Sequence, residues 1–121
     1  MKADEAGQPV CEQSARGLGV RVPRDIACSP TGTVLPRTGG MSVAPANPMH
    51  LAPHRRPSRL GGTGRDPVFM AWHDSFSARL VYRSDIARTD RHGFIEPHME
   101  MDLRAYRTAL CDSRPFWRLL P

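Results

Sequence analysis

Residues 93–111, with the sequence GFIEPHMEMDLRAYRTALC, join a short strand pattern to a helix pattern. The first four residues combine an aromatic with a β-branched side chain, and Pro97 ends the run. In residues 102–111 an acidic residue occupies the first turn, where a carboxylate favours the helix dipole. Apolar side chains recur there at the spacing of one helical face: Leu103, Tyr106 and Leu110. We therefore predict a strand followed by a helix that packs on the core.

Other short strand patterns precede this segment, each bounded by glycine, proline or polar turn residues. They comprise residues 18–22, 33–35, 41–44, 67–72 and 79–83. Because Thr-Gly-Gly at 38–40 is a turn signal, we expect residues 33–35 to pair with residues 41–44. Five or six short strands and one main C-terminal helix indicate an α+β fold.

The length of 121 residues fits one domain. We expect residues 1–17, which show no periodicity, to be a flexible lead-in, and residues 18–121 to form the domain. Residues 44–64 hold four prolines and three glycines. A long irregular loop of this kind in a compact domain usually indicates either function or disorder.

The net charge of +5 has a local origin. Residues 31–60 contain four arginines and no acidic residue. A guanidinium matches two phosphate oxygens at once, so this stretch can attract phosphate. Lys2 is the only lysine, however, and such an arginine bias also fits the codon usage of a GC-rich genome. Phosphate attraction and simple solvation therefore both stay open.

Cysteine usage and hydropathy favour a cytoplasmic protein. The three cysteines are widely spaced and form no Cys-x-x-Cys motif, so we expect reduced thiols and neither a disulfide framework nor a zinc site. The apolar runs are far shorter than the ~20 residues that span a bilayer. The first ten residues lack the apolar region of a secretory signal, and we expect no membrane partner and no bound metal.

Three segments carry candidate chemistry. Strand alternation would place His92, Phe94 and Glu96 on one face, which offers an imidazole, an aromatic ring and a carboxylate, although Glu96 is also compatible with a simple strand-end charge. Tyr82 can either stack on a planar ring or fill the core. Glycines at 61, 62 and 64 can cradle a phosphate or form a flexible turn.

Two parts of the chain resemble a known family. RVPRDI at 21–26, TV at 33–34 and PRTGGMSV at 36–43 are followed by HGFIEP at 92–97 and then the helix. Their order resembles the bacterial type VI secretion toxins with an ADP-ribosyltransferase-like fold. The Thr-Gly-Gly-x-Ser-Val pattern at 38–43 is the most specific part of the match. This chain has Met41 directly before the motif serine, where the family has threonine.

The resemblance implies two small, mostly antiparallel sheets with a cleft that binds NAD as substrate. It implies NAD cleavage or transfer of ADP-ribose to an unknown macromolecular acceptor. A toxin of this type would also be delivered into the cytoplasm of a target cell without a signal peptide. Its expected protein partner is a cognate immunity protein, or antitoxin.

The resemblance also assigns roles to individual residues. Arg21 would hold the NAD phosphates, Ser42 the nicotinamide ribose, and His92 would assist catalysis. Glu96 is assigned from chemistry alone, because cleavage develops positive, oxocarbenium-like charge on the ribose, which a carboxylate stabilises. The flat wall for the nicotinamide ring would come from one of two aromatic residues, Tyr82 or Phe94.

A second function of a different class fits the same sequence. The basic loop of residues 55–65 would make the chain a noncatalytic binding module for nucleic acid or an acidic partner protein. Binding through phosphates weakens steeply as salt rises, whereas an NAD site should function at moderate salt. Salt dependence therefore distinguishes the two functions.

Overall fold

The computed structural model describes residues 1–14, 16–76, 79–88 and 90–121. The described residues form seven strands and one α-helix, which confirms the mixed α and β composition. In chain order these are β1 Thr33–Val34, β2 Met41–Val43, β3 Phe69–Met70, β4 Leu80–Ser84, β5 Gly93–Pro97, β6 Met101–Asp102, α1 Leu103–Asp112 and β7 Arg118–Leu119. Within the described ranges, no helix has the length and apolar character needed to cross a membrane.

The described strands form three small antiparallel sheets, one more than expected. The largest has the order β2-β5-β4, and the others pair β1 with β6 and β3 with β7. The predicted pairing of residues 33–35 with 41–44 is wrong. The turn between these segments pairs elsewhere, because Gly39 forms a bridge to Ile26 and the Gly40 N–H donates to the Asp25 carbonyl. Instead of pairing with each other, β1 pairs with β6 and β2 pairs with β5, both of which lie late in the chain.

The predicted strand at residues 18–22 is also absent. Leu18 and Val20 are nevertheless buried in the core. The chain then turns, with the Asp25 N–H donating to the Arg21 carbonyl over 2.8 Å. The burial of Leu18 and Val20 therefore reflects an irregular segment that lies against the core, with no β ladder.

The remaining elements lie close to their predicted positions. Residues 67–72 contribute only β3, whose partner is β7 near the C-terminus. Residues 79–83 become β4, and the helix predicted at residues 102–111 is confirmed as α1. The long loop holds three single-turn 3-10 helices, at Pro48–His50, Pro53–Arg55 and Ser58–Leu60.

Tyr106 joins helix α1 to the three-stranded sheet β2-β5-β4, which we call the central sheet. This side chain is fully buried, donates its hydroxyl to the Ile95 carbonyl, and accepts from the Met41 N–H over 3.1 Å. Burial raises the pKa of the Tyr106 hydroxyl, which therefore stays protonated as a donor. The rest of the core is aliphatic and includes Leu18, Val20, Ile26, Val34, Leu80, Ile95 and Leu110.

A disulfide joins Cys11 to Cys111, so the expectation of reduced thiols without a disulfide is wrong for these two residues. Folding brings their Cα atoms to 5.5 Å despite a separation of 100 residues, which sequence spacing alone does not reveal. Cys28 is the free thiol.

The described part of the expected lead-in contacts the domain. The Lys2 N–H donates to the Arg16 carbonyl, the Val10 N–H donates to the Lys2 carbonyl, and the Leu18 N–H donates to the Val10 carbonyl. Met1 lies against the core. Together with the disulfide, these contacts place the N-terminal segment beside α1.

Candidate functional site

The central sheet brings three side chains into one row. Ser42 of β2 lies opposite Phe94 of β5, and Arg83 of β4 lies opposite Phe94 on its other side. Side chains of directly opposed residues share a face of the sheet. The Arg83 guanidinium carbon lies 5.2 Å from the Phe94 ring centroid, which is cation–π distance. Glu96 and His92 lie on the same side of β5 as Phe94. We call the surface formed by Ser42, Arg83, His92, Phe94 and Glu96 the polar face.

Glu96 is a buried carboxylate two residues beyond Phe94 on β5. Only 3% of its surface is exposed, and strand alternation places it on the same side of β5 as Phe94. Its Oε2 accepts from Arg83 Nε over 2.7 Å and from the Arg37 N–H over 3.1 Å. These donors compensate the cost of burying the charge. Both of these hydrogen bonds end on Oε2.

The loop before β2 provides the second donor through a left-handed backbone. Arg37 has φ of 65°, a conformation that few residues other than glycine adopt. Gly40 closes the same loop, and a Cβ there would lie 2.6 Å from the Ile95 carbonyl oxygen. The loop therefore packs closely against β5 beside Glu96.

His92 lies on the other side of Phe94 along the chain, one residue before β5 begins. Its ring meets Phe94 edge-on, with the centroids 4.8 Å apart, and its Nδ1 lies 2.9 Å from Asp85 Oδ2. The hydrogen bond from His92 is the main cause that lowers the pKa of Asp85, and the Ala87 N–H adds to it. An ionised carboxylate only accepts, so Nδ1 carries the proton. In the neutral ring Nε2 is then the acceptor nitrogen.

The structure places Arg21 away from this cluster. Its guanidinium donates to Asp25 through Nε over 3.1 Å and through Nη2 over 3.0 Å, and its backbone N–H also donates to that carboxylate. Burial raises the pKa of Asp25, but the hydrogen bonds from Arg21 outweigh it and the net pKa is lowered. Among the described contacts, Arg21 reaches none of the polar-face residues.

Tyr82 lies on the opposite side of the central sheet. It is paired with Ile95, and it packs against the core. Its ring covers Gly93, where a Cβ would lie 2.6 Å from the ring carbon Cε1. Of the two functions considered for Tyr82, the structure supports core packing, and Phe94 is the aromatic side chain of the polar face.

Sequence reasoning missed Arg83 of the polar face and Asp85, which bonds His92. Alternation along β4 would have placed both opposite to Tyr82, but their link to Phe94 and His92 depends on the register of β4 against β5. That register joins segments across an intervening loop, so local periodicity could not supply it.

The glycine segment at 61–64 does not cradle a phosphate, because its N–H groups already have acceptors. They donate in order to the carbonyls of Ser58, Pro57, Pro53 and Arg56. A Cβ at Gly62 would lie 2.2 Å from the Arg56 carbonyl oxygen, so close packing explains this glycine. No cluster of three or more metal-binding side chains occurs within the described ranges.

Comparison of the chain with family models, with curated proteins and with solved structures found no match. The polar face is therefore interpreted from its own geometry and chemistry.

Proposed function

We propose that this chain is an ADP-ribosyltransferase-like toxin domain that binds NAD on the polar face and cleaves its nicotinamide–ribose bond. One observation carries the proposal. Glu96 is buried, is held by two hydrogen-bond donors, and lies on the same face of the sheet as the Ser42 hydroxyl and the Phe94 ring. A fixed carboxylate beside a flat apolar wall is what stabilisation of a positively charged sugar requires.

Each residue of the row has a role in this proposal. Phe94 stacks on the nicotinamide ring, and the exposed Ser42 hydroxyl bonds the adjoining ribose. Arg83 takes the phosphate-binding role that the resemblance gave to Arg21, because a guanidinium keeps further N–H donors after Nε has bound Glu96. The Glu96 carboxylate stabilises the positive charge that develops on the ribose.

The proposed reaction is a displacement at the anomeric carbon. The bond from the ribose carbon to the nicotinamide nitrogen breaks, and its electron pair leaves with nicotinamide. A water molecule, or a nucleophile of a macromolecular acceptor, forms the new bond to that carbon. The proton of the nucleophile passes to His92 Nε2, and Asp85 stabilises the imidazolium that results. A cognate immunity protein would block access to this face.

The test is NAD binding by calorimetry and nicotinamide release by chromatography at moderate salt. Ser42→Ala and Glu96→Gln should each lower nicotinamide release at least about tenfold, which corresponds to roughly 1.4 kcal/mol of transition-state stabilisation. The matched controls Ser84→Ala, on the other side of the sheet, and Glu100→Gln, at an exposed site, should retain wild-type rates. Folded wild-type protein that neither binds NAD nor releases nicotinamide would rule out the proposal.

The noncatalytic alternative has one favourable observation. Arg55, Arg59 and Arg65 are exposed on a loop that contains no acidic residue and is held in shape by two of the 3-10 helices. Nucleic acid or an acidic protein would bind there, with an affinity that falls steeply between low and moderate salt. Retention of binding in Arg55→Gln/Arg65→Gln would contradict this alternative without affecting the NAD proposal.

A further inference from the structure

A groove runs along α1, away from the polar face. Two adjoining cavities of about 270 and 500 Å³ form it. Both are lined by Gln13, Arg107 and Cys111. None of the polar-face residues contributes to its lining. We call it the α1 groove.

The wall opposite α1 is formed by the N-terminal segment and is closely packed. A Cβ at Gly19 would lie 2.1 Å from the Glu12 carbonyl oxygen, so the backbones at Glu12 and Gly19 are in close contact. The disulfide between Cys11 and Cys111 ties this wall to the last turn of the helix. The groove is therefore preformed, which lowers the entropy cost of binding a ligand.

The part of the groove along α1 presents hydrogen-bond donors and positive charge. Arg104, Arg107 and Thr108 lie three and four residues apart on α1, so they share one face of the helix. Gln13 adds an amide from the opposite wall. The acidic residue of the lining, Glu12, is paired with Lys2 Nζ at 2.9 Å. The two arginines therefore give the groove an excess of positive charge.

Arg107 has one buried donor that the protein does not satisfy. Its Nη2 donates to the Val20 carbonyl over 3.1 Å, which anchors the guanidinium. Its Nε is buried and has no hydrogen-bond partner in the described part of the chain. An unsatisfied buried donor is costly, and a charged acceptor near the guanidinium would reduce that cost.

We propose that the α1 groove binds an oxyanion, the phosphate or carboxylate group of a small molecule. Two guanidinium groups, a hydroxyl and an amide match the oxygen atoms of such a group, and arginine binds both kinds with paired hydrogen bonds. This site is separate from the proposed NAD site, so either proposal can fail without the other.

In the test, oxidised, folded protein is titrated with inorganic pyrophosphate and, separately, with citrate. Binding is measured from the heat of each addition and from changes in the amide chemical shifts. We expect saturable binding with one site and shifts that centre on Gln13 and α1. Tighter binding of pyrophosphate identifies phosphate as the preferred group, and tighter binding of citrate identifies carboxylate. The double variant Arg104→Gln/Thr108→Val, which keeps the Arg107 anchor, should weaken binding about tenfold or more, because charged hydrogen bonds are lost.

Arg118→Gln is the matched control, since Arg118 is exposed on β7 outside the groove. Its affinity should equal that of the wild type. The variant Cys11→Ser/Cys111→Ser should also bind more weakly, because the wall is no longer tied to α1. The proposal is overturned if oxidised wild-type protein shows no saturable binding of either anion, or if the Arg104→Gln/Thr108→Val variant binds as tightly as the wild type. Unchanged affinity in the cysteine variant would disprove the role of the disulfide in holding the wall.

Discussion

The polar face and the basic loop of residues 55–65 are both candidate sites for an anion or a nucleotide. They differ in how far their polar groups are already hydrogen-bonded within the protein. In the loop, the four N–H groups of the glycine segment donate to carbonyls of the loop itself. The Arg59 guanidinium donates to carbonyls of Leu120 and Pro121. On the polar face, Ser42 is exposed, and the donors from Arg83 and Arg37 both bond the same oxygen of Glu96.

This difference shows that residue type is a weaker guide to a site than the state of its hydrogen bonds. A glycine-rich segment becomes a phosphate cradle only if its N–H groups point away from the chain. In the loop they point inward and stabilise a compact turn. On the polar face, the interactions of Arg83 and Arg37 fix Glu96 without consuming both of its oxygens.

The largest effect that we expect comes from removing the carboxylate. Glu96→Ala would leave Arg83 partly buried without its ion-pair partner and the Arg37 N–H without an acceptor. Loss of one partner of a buried pair costs about 3–5 kcal/mol of the free energy of unfolding. Urea denaturation should show this loss, and Glu96→Gln, which keeps an acceptor oxygen, should lose less. No measurable loss in Glu96→Ala would show that the ion pair does not stabilise this face.

A smaller effect is expected in the loop. In Gly62→Ala the new methyl group would lie 2.2 Å from the Arg56 carbonyl and 2.5 Å from the Pro53 carbonyl. Forcing a methyl group into such packing costs about 1–3 kcal/mol. The same urea experiment measures it, with Gly32→Ala as a contrast at an uncrowded turn where φ is 83°. A neutral Gly62→Ala would mean that the loop is not held by these backbone contacts.

Acid should weaken the polar face and spare the loop, which has no carboxylate. The hydrogen bond from His92 lowers the pKa of Asp85, so the folded state favours its ionised form. This contribution to stability is complete above the unfolded pKa of about 3.9 and is lost as the pH falls through the lower folded value. In Asp85→Asn, the decrease in urea midpoint between pH 6 and pH 3 should therefore be smaller than in the wild type. An identical decrease would contradict the stabilising role of this pair.

The smallest effect is expected for Arg59→Gln. The exposed guanidinium bonds two carbonyls near the C-terminus, and exposed contacts of this kind change stability by roughly 0.5 kcal/mol or less. Thermal unfolding should therefore be nearly unchanged. A large loss of stability would show that the loop and the C-terminal strand stabilise each other. The loop and the polar face would then differ less in how strongly their polar contacts contribute to stability.

Part of the candidate site could be predicted from alternation within one strand. Phe94 and Glu96 share a side of β5, and His92 contacts Phe94 from just before the strand. Arg21 was expected on a strand that does not form, because its guanidinium and the turn after it both engage Asp25. Local patterns could not show this competition, since Leu18 and Val20 are buried in a segment that has no ladder partner.

The sequence by itself determined the α+β class, the strand at Gly93–Pro97 and the helix at Leu103–Asp112, because period and turn chemistry are local properties. Only the tertiary structure decided which strands pair, and it set Ser42 and Arg83 on either side of Phe94. It also joined Cys11 to Cys111. These contacts join residues far apart in the chain, and their choice depends on packing of the whole domain, which local periodicity does not encode.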